Sequence, residues 1–539
     1  MVKRSAALLP ALLLAACASP FRHDPLTSEA LTESLRTVEP VDLGVYAEDD
    51  PAPVPDAAPG PPADPPPEAE LTLAQCRAWA LADNLDLAAS LINPAIADAE
   101  VSAAEARFEW LLFGNANYTE AERPTSTLLE GTSTEGLNGR LGVALPLRTG
   151  GTVTADYGSN RFETDNSFAI LNPSYDADAG VSLSQPLLRG AGVRVNTAPI
   201  HVTRLNAQAV SARTRLDVIR VVATVDRGYW TLYEARQQLG VRRQQHDLAV
   251  SQLERAQRLV DVGDPPEVEV LRAQAGVADG LEAVISAENS LRFQERQLKR
   301  LLNQPGLPIH GPTALVPVTD PNPVEYRLDP QAVLEAAYAG RAELLELELN
   351  VAAEALNVLL ARNALLPLAS LEYRYNQSGL GAGFGDASDQ AFGGDFSGHT
   401  VGLRVEVPLG NEAAEAQLRS ALLRRLQRLA TRDLRRLQIT QEVFDALDNL
   451  TTGWQRLLAT RQSVLLEARL VEAEQRQFAL GLRTSTEVIE AQTRLADARS
   501  REAAAIANYQ ITQIDVAFAT GTLLGQARIR WEPAGVDGR

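Results

Sequence analysis

The chain has few of the residues that build metal centres, disulfide frameworks or redox sites. Its 539 residues include two cysteines, one methionine and five histidines. The histidines are scattered along the chain, with none of the short spacings that metal-binding histidines show. No catalytic constellation and no glycine-rich phosphate loop behind a buried strand is present. The sequence therefore predicts a protein that is not an enzyme and that holds no metal and no cofactor.

Excess basic charge and long apolar segments are also lacking. The formal net charge is −19, which argues against a basic face for nucleic acid or anionic lipid. Beyond the first residues, no run of eighteen apolar residues occurs. If such a chain crosses a membrane, it does so as a β-barrel, because every backbone polar group must be paired inside the bilayer.

The N-terminus is typical of a secretory signal. Lys3 and Arg4 carry positive charge, and the apolar stretch from Ala6 to Ala16 is too short for a permanent membrane helix. It ends in LAAC at residues 14–17, which resembles a bacterial lipobox. An ordinary signal cleavage beside an accidental cysteine would give the same sequence. We favour a lipoprotein signal peptide over residues 1–16.

Cys17 is the expected lipidation site, with a diacylglycerol and acyl chains such as palmitate. Once Cys17 is acylated, Cys76 has no cysteine partner, which excludes a disulfide. Ala18 follows the cysteine, and the aspartate that retains many lipoproteins in the inner membrane is absent. The resemblance to such lipoproteins implies attachment to outer-membrane lipid.

Residues 17–70 are predicted to form a lipid anchor and tether. From Glu39 to Glu70 the chain is rich in proline, alanine and aspartate and poor in apolar side chains. Such a composition predicts a stiff, extended segment without a core. Regular structure is expected from Leu71 onward.

Two very long helices dominate the expected secondary structure. They are predicted over about Val195–Val262 and about Asn411–Leu480, because apolar residues recur there at steps of three and four. At ~1.5 Å per residue each helix would be about 100 Å long, which indicates coiled-coil packing. Shorter helices are predicted over residues 71–110, 267–302, 330–365 and 484–520.

Strand patterns lie between the helices. Residues 401–407, 371–375, 141–145 and 179–183 alternate apolar residues with small or charged ones. This alternation fits a strand with lipid on one side and water on the other. A soluble sandwich with one wet face would show the same alternation. Strand groups inserted between helices of this length favour the barrel.

The segments between paired strands are predicted to be loops that face the outside medium. They cover residues 120–138, 160–176 and 377–398 and are rich in Gly, Asn, Asp and Ser. The glycines at residues 379–385 suggest flexibility there.

The chain contains a tandem duplication. Gly263 and VLRAQ at residues 270–274 match Gly481 and VIEAQ at residues 488–492, 218 residues later. Residues 107–118 likewise match residues 362–373. We therefore predict repeat 1 over residues 71–302, an equatorial linker over 303–327, repeat 2 over 328–524 and a C-terminal tail over 525–539.

Together these features resemble the TolC-like outer membrane efflux protein family. The resemblance covers nearly everything from Leu71 to Leu524, and its marks include QPLLRGAG at residues 185–192 and LGLRTSTEVIEAQ at residues 480–492. It implies a mixed α and β membrane protein, a homotrimer that shares one transmembrane β-barrel continued by a periplasmic α-helical coiled-coil barrel. It also implies an outer-membrane duct of a tripartite efflux or type I secretion system, with a periplasmic adaptor protein and an inner-membrane pump as partners.

Repeat 1 departs from the family pattern of two strands per repeat. LRTGG at residues 147–151 predicts a tight turn before a further strand at residues 152–157. This extra hairpin would either enlarge the barrel or pack outside it, and the sequence leaves both arrangements open.

The resemblance places the functional residues at two helix-to-helix turns, marked by Gly263 and Gly481. In the family these turns form the periplasmic tip, where the tunnel closes and the adaptor docks. Glu487 and Glu490 fall where the family carries acidic residues around the closed entrance. Ordinary solvated helix charges are the alternative. The spacing of three places both carboxylates on one helix face, which favours the gate.

Three further residues belong to the implied tip. Arg483 and Glu269 fall where the family keeps a charged link between neighbouring coils. Phe478 occupies a position that is often tyrosine, so a hydroxyl is missing from the implied network. Three copies of Glu487 and Glu490 around one axis would also raise the pKa values of these carboxyls through crowding.

Two other classes of function fit part of the pattern. A lipid-anchored periplasmic coiled-coil scaffold without a pore would explain the helices but not the strands. A secreted adhesin would leave the duplication unexplained. Within the duct interpretation, small toxic molecules, metal ions and secreted protein are the candidate cargoes.

Overall fold

Both repeats run from a pair of helices through long strands to a long helix and a shorter helix. The computed structural model describes residues 67–126, 131–261, 267–480 and 482–530. The predicted signal peptide, Cys17 and the tether up to residue 66 lie outside the described residues. Gly263 and Gly481 also lie outside them, as do residues 531–539 of the predicted tail.

Repeat 1 holds four long strands between two pairs of helices. Its elements are β1 Glu68–Leu71, α1 Leu73–Asp83, α2 Leu85–Glu105, β2 Leu111–Glu122, β3 Ser133–Pro146, β4 Thr152–Thr164, β5 Ser174–Pro186, α3 Val193–Asp261 and α4 Glu267–Leu302.

Repeat 2 holds two long strands in the same place. Its elements, with those of the linker, are β6 Ala314–Pro317, α5 Pro330–Gly340, α6 Ala342–Ala364, β7 Leu368–Gly381, α7 Phe384–Gly393, β8 Ser397–Glu406, α8 Glu412–Ala479, α9 Ser485–Ala519 and α10 Leu523–Gln526. The two long helices, α3 with 69 residues and α8 with 68, confirm the predicted bounds to within two residues.

Two of the predicted helices are each broken in two. In the predicted helix 71–110, Asn84 is extended and its side chain accepts a hydrogen bond from Leu87 N at 2.9 Å. Its amide nitrogen donates to Leu301 O at 2.8 Å. In the predicted helix 330–365, Arg341 is extended and donates from Nε to Ala519 O at 2.9 Å. Both breaks are therefore held by carbonyls that lie far away in sequence.

The predicted tether and linker meet in a small parallel sheet. The tether was expected to continue to Glu70, but Glu68–Leu71 pairs with Ala314–Pro317, inside the linker predicted over residues 303–327. The fully buried Tyr229 of α3 accepts a hydrogen bond from Thr319 N at 2.9 Å and donates one to Leu71 O at 3.0 Å. The start of repeat 1 is thus fixed to the connection between the repeats.

The long strands form one antiparallel sheet in the order β2-β3-β4-β5-β7-β8. The extra hairpin of repeat 1 therefore joins this sheet and does not pack outside it. The strands also run further than the apolar alternation indicated: β2 continues to Glu122 and β3 begins at Ser133, inside the predicted loop 120–138. Backbone pairing continues there because it needs no apolar side chains.

The sheet has one apolar and one polar face, because successive side chains of a strand point to opposite sides. The register places Leu141, Tyr157, Val181, Tyr373 and Val401 on the apolar face. On the polar face, the same register places Arg140, Asp156, Asp178, Arg374 and Thr400. The predicted alternation is thereby confirmed.

A short helix covers part of the apolar face. Helix α7 lies in the stretch predicted as a loop, residues 377–398, and buries Ala387 and Ala391 against Ala177. A Cβ on Gly379 would lie 2.0 Å from Ala387 O. The glycines that suggested a flexible loop instead allow close approach of a helix to a strand.

Candidate functional site at the helical tip

The predicted tip lies where α8 ends and α9 begins. Helix α9 starts with a capping box: Glu487 Oε2 accepts from Thr484 N at 2.8 Å, and the Thr484 side chain caps the helix in return. Glu487 thus stabilises the start of α9 and partly satisfies the free backbone N–H groups there.

Arg483 binds within its own hairpin. Its Nη1 donates to Glu487 Oε1 at 2.5 Å, its Nε donates to Gln477 Oε1 at 2.9 Å, and Glu474 Oε2 lies 3.4 Å from Nε. The side chain of Glu269 lies outside the described part of the molecule. The charged link between Arg483 and Glu269 therefore stays a prediction.

Within one protomer, the electrostatics of Glu487 are set by its hydrogen-bond donors. Hydrogen bonds from Thr484 N and from Arg483 hold the pKa of the Glu487 carboxyl below its ordinary value. The same contact with Glu487 raises the pKa of the Arg483 guanidinium. Within the protomer, Glu487 is thus already paired with Arg483, and the crowding of three copies around one axis stays a prediction.

Glu490 is the more accessible of the two carboxylates. Its side chain is 63% exposed, and Arg494 Nη1 lies 3.8 Å from its Oε2, one helical turn further on. Arg494 also faces Glu467 of α8 at 3.7 Å. Glu490 is therefore held loosely, at the distance of a weak surface pair.

The contact that Phe478 makes could not be predicted from the sequence. The guanidinium of Arg255, on α3, lies over its ring, 4.8 Å from the centroid. This cation–π contact joins the coils of the two repeats near the tip and needs no hydroxyl on the aromatic ring. Arg255 could not be identified from the sequence, because one arginine among many on a solvated coil carries no signal of its partner.

Further contacts tie α3 to α9 behind the tip. Arg242 Nη1 lies 3.2 Å from Asp497 Oδ1, and Arg499 donates to Gln244 Oε1 at 3.3 Å. A cavity of about 250 Å³ lies beside them. It is bounded by α3, α4 and α9, with Gly276, Gly280 and Gln492 among its lining residues.

The polar face of the sheet carries a charge network across four strands. Asp156 of β4 is almost fully buried and accepts from Arg140 of β3 and from Arg374 of β7, both at 3.0 Å. Arg374 also binds Asp178 of β5 at 2.6 Å. A Cβ on Gly180 would lie 2.7 Å from Arg374 Nη2, so the glycine allows Arg374 to lie flat on the sheet.

Two classes of feature are absent from the described residues. No group of three or more His, Cys, Asp or Glu side chains is placed to hold a metal ion. No helix in these ranges combines the length and the apolar character that a bilayer-spanning helix needs.

Comparison with known proteins agrees with the fold. The family model described as outer membrane efflux protein matches residues 152–304 and 333–522, well over half of the chain. The outer membrane protein TolC of Vibrio cholerae serotype O1 is 24% identical over 381 residues, which cover 69% of this chain and 82% of that protein.

Solved structures show the same architecture. The CmeC outer membrane channel of Campylobacter jejuni superposes with a TM-score of 0.64 at 16% identity, covering 84% of this chain and 86% of that one. The outer membrane protein VceC of Vibrio cholerae gives 0.62 at 16% identity, with 83% and 96% covered. These likenesses confirm the predicted mixed fold, and the family match, which spans both repeats, shows that the chain belongs to the outer membrane efflux protein family.

Proposed function

We propose that the chain assembles into a homotrimeric outer-membrane duct through which a periplasmic adaptor and an inner-membrane pump export solutes without chemistry. The observation that carries this proposal is the two-faced sheet placed at the end of two helices of 69 and 68 residues. Such a sheet suits a wall between lipid and water. The long helices, about 100 Å each, suit a periplasmic tunnel.

Exposed apolar side chains support assembly with further copies. On α8, Leu426 is 60% exposed and Leu437 is 68% exposed. On α2, Ile92 is 58% exposed. Apolar faces of this extent on a monomer mark contact surfaces. In a closed ring, neighbouring protomers would cover them.

The tip carries the proposed gate. Three copies of Glu490, with the paired Glu487 behind each, would place carboxylates around the closed entrance and favour cations. Because Glu487 is neutralised by Arg483, we assign most of the selectivity to Glu490. The proposed gate also includes a charged link between Arg483 and Glu269 of neighbouring coils. The turns marked by Gly263 and Gly481 form its end.

The lipid on Cys17 is proposed as a second, weaker attachment to the outer membrane. One lipid group gives only marginal binding, so the sheet should dominate. A Cys17→Ser variant with a replaced signal should still fractionate with outer membranes. If it is wholly soluble in the periplasm, the sheet does not span the membrane, and a lipid-anchored scaffold without a pore is the better description.

Planar-bilayer recording tests the duct and its gate. The purified protein should form pores that select cations and that multivalent cations block from the periplasmic side. Glu490→Gln should weaken both properties more than Glu487→Gln, while trimer formation persists. Trimers without pores would contradict the duct. Pores whose selectivity survives both substitutions would place the gate elsewhere.

A further inference from the structure

The two repeats contribute unequally to the sheet. Repeat 2 supplies one pair of strands, β7 and β8, whereas repeat 1 supplies four, from β2 to β5. The sequence match of residues 107–118 to 362–373 relates β2 to β7. Strand β5 precedes α3 as β8 precedes α8. The pair β3 and β4 is therefore an insertion in the middle of repeat 1.

The inserted pair has the length and the two faces of a membrane wall. Strands β3 and β4 contain 14 and 13 residues, more than the ~9–11 that a tilted membrane strand needs. Val143 and Ala155 pair directly and share the apolar face with Val181 of the neighbouring strand β5. The insertion thus keeps the register and the alternation of the strands on either side.

The polar face locks the inserted pair to both repeats. Asp156, on the inserted strand β4, is bound by Arg140 of β3 and by Arg374 of repeat 2, which reaches across β5. The missing side chain at Gly180 allows Arg374 to pass close to β5, because a Cβ there would lie 2.7 Å from Arg374 Nη2. A hairpin folded away from the sheet would leave Arg374 without its Asp156 partner.

The inner turn of the inserted pair is seated on the start of α3. Gly192 N donates to Thr149 O at 2.9 Å, and the Thr149 hydroxyl donates to Gln185 Oε1 at 2.8 Å. Gly150 has a φ of +94°, and a Cβ there would lie 2.2 Å from Gly190 O. The turn between β3 and β4 is therefore hydrogen-bonded to the segment that leads into α3.

We infer that the trimer closes an eighteen-stranded barrel, which passes bulkier hydrated cargo than a barrel built from one hairpin per repeat. This inference rests on the proposed trimeric duct. The edge strands β2 and β8 run in opposite directions, so β8 of one protomer can pair antiparallel with β2 of the next. Barrel diameter grows roughly linearly with strand number. Eighteen strands give a barrel about 1.5 times as wide as twelve, with roughly twice the cross-section.

The decisive experiment is a strand count by electron cryomicroscopy of the full-length protein in lipid nanodiscs. Eighteen strands around one axis are expected. A closed twelve-stranded barrel with β3 and β4 outside the wall overturns the inference and leaves the duct intact. The absence of a membrane-spanning trimer would instead contradict the proposed function itself.

Polymer exclusion measures the consequence for cargo. Poly(ethylene glycol)s of graded size are added on the extracellular side during bilayer recording. The size at which they cease to lower the current should be larger for the unmodified protein than for a variant that lacks residues 133–164. A variant with only the loop 165–173 shortened serves as the control and should match the unmodified protein. An unchanged size limit in an assembled deletion variant contradicts the wider pore. If that variant does not assemble, the strand count decides.

Discussion

The guanidinium of Arg255 lies over the ring of Phe478, 4.8 Å from its centroid, and joins the long helix of repeat 1 to that of repeat 2. Where tyrosine would offer a hydroxyl, this protein uses the face of the ring. An exposed contact of this kind contributes about 0.5–1 kcal/mol. A contact of this strength can favour a closed tip and can still break when the tip opens.

Loss of this contact should loosen the tip. We expect Arg255→Ala and Phe478→Ala each to raise the mean conductance in planar bilayers, and the double variant to equal the single ones, because one contact is lost in each case. Phe478→Tyr should keep the closed conductance. Arg258→Ala, three residues further along the same helix face and paired with the exposed Glu254, is the control and should leave the conductance unchanged. An equal rise with Arg258→Ala would assign the effect to charge alone.

The cap of α9 should fail in acid. Because the pKa of Glu487 is lowered, its stabilising contacts are fully present above the ordinary range of a glutamate and are lost as the pH falls through the lowered value. Pepsin cleavage near Phe478 and Leu480, normalised to an unfolded substrate, should rise below about pH 4. In Glu487→Gln this pH dependence should disappear. Persistence of the same profile would mean that another group titrates.

The buried pair of Arg77 and Asp226 should contribute more to stability than an exposed ion pair does. Both guanidinium contacts are 2.7 Å and Asp226 is fully buried, which raises the pKa of its carboxyl despite Arg77. Arg77→Ala leaves a buried carboxylate unpaired and should cost about 3–5 kcal/mol. Arg204→Ala, which breaks the exposed pair with Glu105, should cost at most about 1 kcal/mol.

The temperature at which half of the trimer is lost in detergent measures the loss of stability in each of these two variants. The raised pKa means that the folded state favours protonated Asp226, so the defect in Arg77→Ala should grow as the pH rises and shrink in mild acid. A defect of the same size in Arg204→Ala would show that burial does not set the cost.

Cys76 should be chemically inert in the folded protein. It is fully buried, and burial, with the nearby Asp226, raises the pKa of its thiol to about 12. In a Cys17→Ser background, maleimide should label Cys76 at pH 8 only after denaturation. Cys introduced at the exposed Ser251 should react at once. Rapid labelling of native Cys76 would indicate local opening of α1.

The long helices and the sheet could be predicted from the sequence because periodicity is local. Steps of three and four over many turns determine α3 and α8 without reference to the rest of the chain. The breaks at Asn84 and Arg341 could not be predicted in this way. Each depends on a carbonyl, Leu301 O or Ala519 O, that only the folded chain brings near.

The sheet was predicted where apolar side chains alternate and missed where they do not. The outer ends of the strands are paired through the backbone. Their side chains are largely Ser, Thr and Glu, so a hydropathy pattern does not detect these ends. At the tip, the duplicated turns led to Arg483, Glu487 and Glu490. Arg255, the partner of Phe478, lies on the other repeat, and the match between the duplicated turns does not include it.

The pairing of Glu68–Leu71 with Ala314–Pro317 sets a minimum length for any lipid anchor. Tyr229, which binds Leu71 O, lies 36 residues beyond the first residue of α3, about 54 Å along the helix from its sheet end. A lipid on Cys17 in the same membrane as the sheet must be joined to Glu68 across that distance. Fully extended chain covers at most ~3.3–3.6 Å per residue, so about 16 residues are the fewest that could reach. The chain between Cys17 and Glu68 is roughly three times this length. Deletions that keep more than about 16 residues should therefore still allow a lipid on Cys17 to reach the membrane while Glu68–Leu71 stays paired.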